Sequence, residues 1–135
     1  NESPTCSQQL LYYFIGMVNY GSPLGETIVQ PVVQYDTSGQ YPKGWSMESW
    51  NCCPGGQSHE ANVIQLPTNA VNIPNSMIAD GNNVNISMSY NGVSSTLIVR
   101  QSGRTFKYVD ATLEEYNVKS CNAFNSKPFI FKNMS

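Results

Sequence analysis

The chain has 135 residues, of which 40% are hydrophobic, 11% aromatic and only 12% charged. A formal charge of −2 and a pI near 5.2 supply no basic face of the kind that nucleic-acid binding requires. No apolar run approaches the ~20 residues of a membrane-spanning helix.

The length suits one domain over residues 1–135, or a processed fragment of a larger one. Asn1 is not an initiator Met and no signal-peptide pattern is visible, so the chain reads as a mature or processed product. Period-two alternation of apolar side chains runs through the sequence, and no amphipathic helical pattern interrupts it. Strands are predicted over 10–18, 27–35, 45–50, 61–66, 83–90, 94–101, 104–110, 112–118 and 127–132. The Gly-, Pro-, Asn- and Ser-rich stretches 20–26, 36–44, 51–59 and 67–82 read as loops. Tyr90-Asn91-Gly92-Val93 is a type I′ hairpin signal, because Asn and Gly both tolerate positive φ. Ser102-Gly103 marks a second tight turn, so residues 83–118 read as a meander of four antiparallel strands. Many short strands at regular spacing predict an all-β fold, an antiparallel β-sandwich or jelly roll.

Four cysteines, Cys6, Cys52, Cys53 and Cys121, point to a secreted, extracellular, disulfide-stabilised protein, since cytosolic thiols stay reduced. Bonding Cys52 to its neighbour Cys53 would close a strained ring. The expected pairings are therefore Cys6–Cys52 with Cys53–Cys121, or Cys6–Cys53 with Cys52–Cys121. A zinc site is disfavoured because Cys52-Cys53 lacks the spacer that lets two thiolates reach one tetrahedral ion. No metal or cofactor is implied. Three sequons, at Asn1, Asn85 and Asn133, offer N-glycosylation sites and lead to the expectation of a glycoprotein, although in a chain this rich in Asn and Ser their number alone decides little. Asn85 is placed best, since Val84, Ile86, Met88 and Tyr90 alternate inward and leave it facing solvent.

Carboxylates are scarce enough to be informative. Glu48 lies between two tryptophans in Trp45-Ser46-Met47-Glu48-Ser49-Trp50. Glu114 and Glu115 fall on opposite faces of a strand, and alternation puts Glu114 with Tyr116 and Val118. A carboxyl against an apolar or aromatic surface has a raised pKa and suits general acid–base work. Gln30, in Ile28-Val29-Gln30-Pro31-Val32-Val33-Gln34-Tyr35, is a polar side chain in an apolar strand, either an edge residue or an oriented amide in a groove. His59, in a Gly-rich loop, reads as an exposed loop residue. No nucleophile-elbow serine or phosphate-cradling loop is present.

Three stretches, in order, resemble the glutamic peptidases of the eqolisin family. Phe14-Ile15-Gly16-Met17-Val18 followed by Thr27-Ile28-Val29-Gln30 looks like the family's aromatic-x-Gly strand and catalytic-Gln strand. Trp45-Ser46-Met47-Glu48-Ser49-Trp50 looks like its Trp/Glu-rich groove strand. Residues 83–106 then look like the family's strand–hairpin–strand, and Leu113-Glu114-Glu115-Tyr116 takes the place of its catalytic-Glu segment. The resemblance spans residues 12–118 and implies a concanavalin-like sandwich acting as an acid endopeptidase on polypeptide. It assigns Glu114 as general base and acid, with Glu115 as the registry alternative. Gln30 would orient the water and stabilise the oxyanion. Trp45, Trp50, Tyr116 and Glu48 would bind substrate. The sequence departs from the family at Asn51-Cys52-Cys53-Pro54-Gly55-Gly56, at Pro31, and in lacking counterparts of the first strands. Two other readings remain. One is a non-catalytic, lectin-like glycan-binding module with the tryptophans and tyrosines as sugar platforms. The other is a self-assembling cell-surface or matrix protein, in which a second chain or copies of the chain pair at an open strand edge.

Overall fold

The long apolar run at the start of the chain becomes the strand around which the fold is built. In a computed structural model, which describes residues 7–120, 124 and 128–132, β1 (Leu10–Val18) is buried on both faces. That accounts for its near-continuous hydrophobicity, since neither face of a central strand meets solvent. It pairs antiparallel with β2 (Ile28–Asp36) on one side and with β9 (Tyr108–Tyr116) on the other. β2 pairs with β3 (Gly44–Cys52), whose far edge carries two short strands, β4 (His59–Glu60) and β5 (Ile64–Gln65). Among the described residues the larger sheet therefore has six strands, ordered β4-β3-β2-β1-β9 with β5 also against β3. Pro31 lacks an N–H, and the β1–β2 ladder is interrupted at its level, between Phe14↔Val32 and Met17↔Val29.

The second sheet is a three-stranded meander of β6 (Asn75–Asp80), β7 (Asn83–Tyr90) and β8 (Val93–Arg100). The β7–β8 hairpin turns at Asn91 and Gly92, with φ of 48° and 79°, as the type I′ signal requires. The two sheets face each other over an apolar layer. Leu11, Tyr13, Val33, Tyr35, Trp45 and Met47 pack with Met88, while Val29 packs with Val84, Ile86 and Val99. A buried polar clasp joins the layers. The Ser49 N–H donates to Ser95 Oγ at 3.0 Å, and Ser49 Oγ donates to the Ser95 carbonyl at 2.8 Å.

The small sheet is too narrow to cover β1 and β9. Val109 is 67% exposed, and an open cavity of about 860 Å³ lies between the β1–β9 side and β6. Phe129 enters it and stacks on Tyr13, with ring centroids 4.5 Å apart.

The described residues are all-β with antiparallel sheets, as the alternation predicts, and contain no α-helix. Several boundaries differ. The expected four-strand meander over 83–118 is replaced by β6–β8, and β9 crosses to the other sheet. Ser102 and Gly103 do turn, with φ of 50° and 82°, but the chain then leaves the small sheet instead of pairing back. The strands expected at 104–110 and 112–118 merge into β9, which runs unbroken through Asp110, Ala111 and Thr112. β6 lies within the expected loop 67–82. The expected strand 61–66 shrinks to Ile64–Gln65, and His59 sits on β4, exposed. Residues 128–132 form no strand.

The cysteine pairing is also corrected. Cys52 and Cys53 are bonded to each other across a cis peptide bond, which brings their Cα atoms to 3.1 Å. Cys6 and Cys121 lie outside the described residues, as do Asn1 and Asn133.

Candidate functional site

Alternation along four neighbouring strands assembles a second side-chain layer on the outer face of the larger sheet, away from the small one. The register aligns Gln34, Tyr12 and Glu114 in one row, Glu48, Val32 and Phe14 in the next, and Gln30 with Trp50 in a third. Across β3, Trp50 pairs with Glu60 of β4. This layer packs as its own cluster of Leu10, Tyr12, Phe14, Val32 and Trp50, with Ile28 and Tyr41 against it. Gly16 leaves room for Ile28 here: a Cβ at that position would come within 2.3 Å of Ile28 Cδ1, and the Ile28 side chain would have to move aside.

A cleft of about 450 Å³ opens over this layer. Tyr12 lines it amid three other rings, with ring centroids 5.4 Å from Trp50, 5.9 Å from Tyr116 and 6.3 Å from Tyr41. Gln30, Glu60, Glu114 and Tyr116 share its wall with Cys52 and Cys53. The loop that brings Ser38, Gln40 and Tyr41 to the rim is held by Asp36 at the end of β2. Burial alone would raise the Asp36 pKa. Hydrogen bonds from the Ser38 hydroxyl and from the N–H groups of Tyr41, Ser38 and Gly39 instead hold it below its ordinary value.

The carboxyls of the site differ in their surroundings. Glu48 is 3% exposed, and the Trp50 indole N–H donates to its Oε2 at 2.9 Å. Burial first, and then the Glu60 charge, push its pKa up to about 7 against the opposing pull of that hydrogen bond. Glu114 is exposed as a residue, yet partial desolvation of its carboxyl raises its pKa. Tyr12 is held as a neutral phenol, chiefly by burial and then by its hydrogen bond with Tyr41. Gln30 Oε1, both amide atoms of Gln34 and Ser46 Oγ, on the same face, are buried without a hydrogen-bonding partner among the described residues. Polar atoms in that position call for water or a ligand.

The site residues expected from sequence are distributed as follows. Gln30, Glu114, Trp50 and Tyr116 line the cleft. Glu48 does not line it, being buried with its carboxyl accepting from the Trp50 indole. Glu115 pairs with Leu11 and points to the opposite face of the sheet from Glu114. Trp45 faces the core, against Tyr13 and Tyr35, and does not reach the cleft. Gln30 and Glu114 share a face but are not neighbours. β1 lies between their strands, and their rows are four residues apart. This corresponds to about 10 Å across the sheet and about 13 Å along it. The carboxyl nearest Gln30 in register is that of Glu48, diagonal to it across the β2–β3 pairing.

Sequence reasoning missed Tyr12, Tyr41, Glu60 and Gln34. Tyr12 alternates with Leu10 and Phe14, which was a usable signal. Tyr41 and Glu60 reach the cleft through a loop and a two-residue strand that carry no local pattern. Among the described residues, no cluster of three or more His, Cys, Asp or Glu side chains could hold a metal, and no helix is long and apolar enough to cross a membrane. Comparison with protein-family models, with curated proteins and with solved structures finds no match for this chain.

Proposed function

We propose that the chain is a secreted, extracellular glycan-binding module, a jelly-roll or concanavalin-like β-sandwich whose ligand sits in the cleft around Tyr12. The observation that carries this reading is the composition of the cleft wall. Tyr12, Tyr41, Trp50 and Tyr116 supply aromatic surface, while Gln30, Gln40, Asn117, Ser58, Glu60 and Glu114 supply amides, a hydroxyl and carboxylates. Sugars need both kinds of partner, since their rings have apolar faces and their hydroxyls both donate and accept. Tyr116, 52% exposed at the rim, is the platform a ring would meet first. Trp50 lies in the cleft wall and Trp45 in the core, so ligand binding reports through Trp50 fluorescence. Titration with a panel of oligosaccharides is expected to change that signal, with affinity falling roughly tenfold, about 1.4 kcal/mol, in Tyr116→Ala. A panel that leaves the fluorescence of the folded protein unchanged would remove the glycan reading.

The second reading is an acid endopeptidase of glutamic-peptidase type. It is favoured by one observation: Gln30, whose carbonyl oxygen has no hydrogen-bonding partner among the described residues, and Glu114, with a raised pKa, line the same cleft. Glu114 would take a proton from water and return it to the leaving amine, and the Gln30 amide would stabilise the oxyanion. It stands second because both groups must converge on one carbonyl across the separation described above. Its test is pepstatin-insensitive cleavage of a denatured protein in acid. Cleavage lost in Glu114→Gln but kept in Glu115→Gln would establish it, and an inert wild-type protein would exclude it.

A further inference from the structure

The outer face of the small sheet presents an unusual cross-strand row. Ile78, Asn85 and Ile98 lie opposite one another on β6, β7 and β8. They point away from the core, because Val84, Ile86 and Val99 beside them point into it. Ile78 is 59% exposed and Ile98 66% exposed, so two large apolar side chains flank one amide on a face otherwise made of Ser, Thr, Asn and charged residues. That amide opens the acceptor sequence Asn85-Ile86-Ser87. Ser87 shares the outer face, its Oγ 3.1 Å from Thr96 Oγ1.

We propose that Asn85 carries an N-linked glycan and that the first sugars of this glycan cover Ile78 and Ile98. In the transfer, Asn85 Nδ2 bonds to the anomeric carbon of a lipid-pyrophosphate-linked oligosaccharide. The carbon–oxygen bond to the pyrophosphate breaks, the lipid pyrophosphate leaves, and one amide proton is lost. Transfer to the nascent chain precedes folding, so the mid-strand position is no obstacle. In the folded protein the same position aims the linkage straight out from the sheet. The apolar faces of the sugar rings then lie over the two isoleucines and shield them from water. The cleft opens on the opposite side of the molecule and stays free. The proposal needs passage through a secretory compartment and is independent of what the cleft binds.

The test is secretion of the full chain from a eukaryotic cell, then enzymatic glycan release in heavy-oxygen water and peptide mass mapping. Asn85 is expected to return as heavy-oxygen-labelled Asp. Asn85→Gln and Ser87→Ala should each lose that glycan, and Ser87→Thr should keep it. Release should also raise the fluorescence of an apolar dye, and the rise should vanish in an Ile78→Ser, Ile98→Ser double variant. An unmodified Asn85 in the folded, secreted chain overturns the proposal. An occupied Asn85 whose release leaves dye binding unchanged overturns the shielding role.

Discussion

Glu48 is a carboxyl that the fold keeps protonated well above the pH at which the unfolded chain would release the proton. Its pKa rises from an ordinary 4.5 to about 7, through burial and the neighbouring Glu60 charge. The sign of the linkage follows directly. Its contribution to stability is fully present below 4.5 and is lost as pH rises through about 7. A shift of this size corresponds to on the order of 3 kcal/mol. Urea midpoints measured across that window should therefore fall with rising pH in the wild-type protein. In Glu48→Gln, which keeps the acceptor for the Trp50 indole, the fall should be much smaller. An unchanged slope would show that Glu48 is solvated. Parity along a strand made part of this layer legible. It separates Glu114 from Glu115, and a spacing of five puts Trp45 and Trp50 on opposite faces as well, which assigning both tryptophans to substrate overlooked. The depth at which Glu48 lies was not legible, because it depends on how the side chains of neighbouring strands pack around it.

Among the elements, the most local signals were the most faithful. The β7–β8 hairpin could be read because Asn91 and Gly92 both take positive φ, a requirement written in the two residues themselves. Gly92→Ala should destabilise the protein by on the order of 1 kcal/mol. The loss should appear as a lower denaturation midpoint with an unchanged denaturant slope, and an unaltered midpoint would contradict the turn assignment. β6 could not be read, since Met77 and Ile78 are adjacent and break the alternation within Asn75–Asp80. β9 was misplaced for a different reason. Its strand character is local, but the choice between pairing with β8 and pairing with β1 is made by long-range packing. The vicinal bond between Cys52 and Cys53 depends on a peptide geometry that the sequence does not announce.

At the scale of the molecule, the two sheets differ in width, and this divides the surface into regions with separate tasks. The six-stranded sheet has side-chain layers on both faces, the core on one and the cleft on the other. The three-stranded sheet covers only part of the core and leaves the open cavity along β1, β6 and β9. An all-β fold could be read from alternation, but which strands face the core twice could not. That distinction lies in the sheet order, with β1 interior, between β2 and β9, and β9 at the edge.

The alternation within β3 couples these regions more tightly than their separation suggests. Trp45 and Met47 belong to the core, and Ser46, Glu48 and Trp50 to the opposite layer, on one continuous stretch of backbone. Inserting or deleting a single residue near Gly44 would turn that ribbon over, sending the indole of Trp45 outward and the carboxyl of Glu48 between the sheets. Substitutions can reshape either layer of β3 separately, but a change in its length exchanges the two at once. Over these residues the chain can vary in letters and not in count.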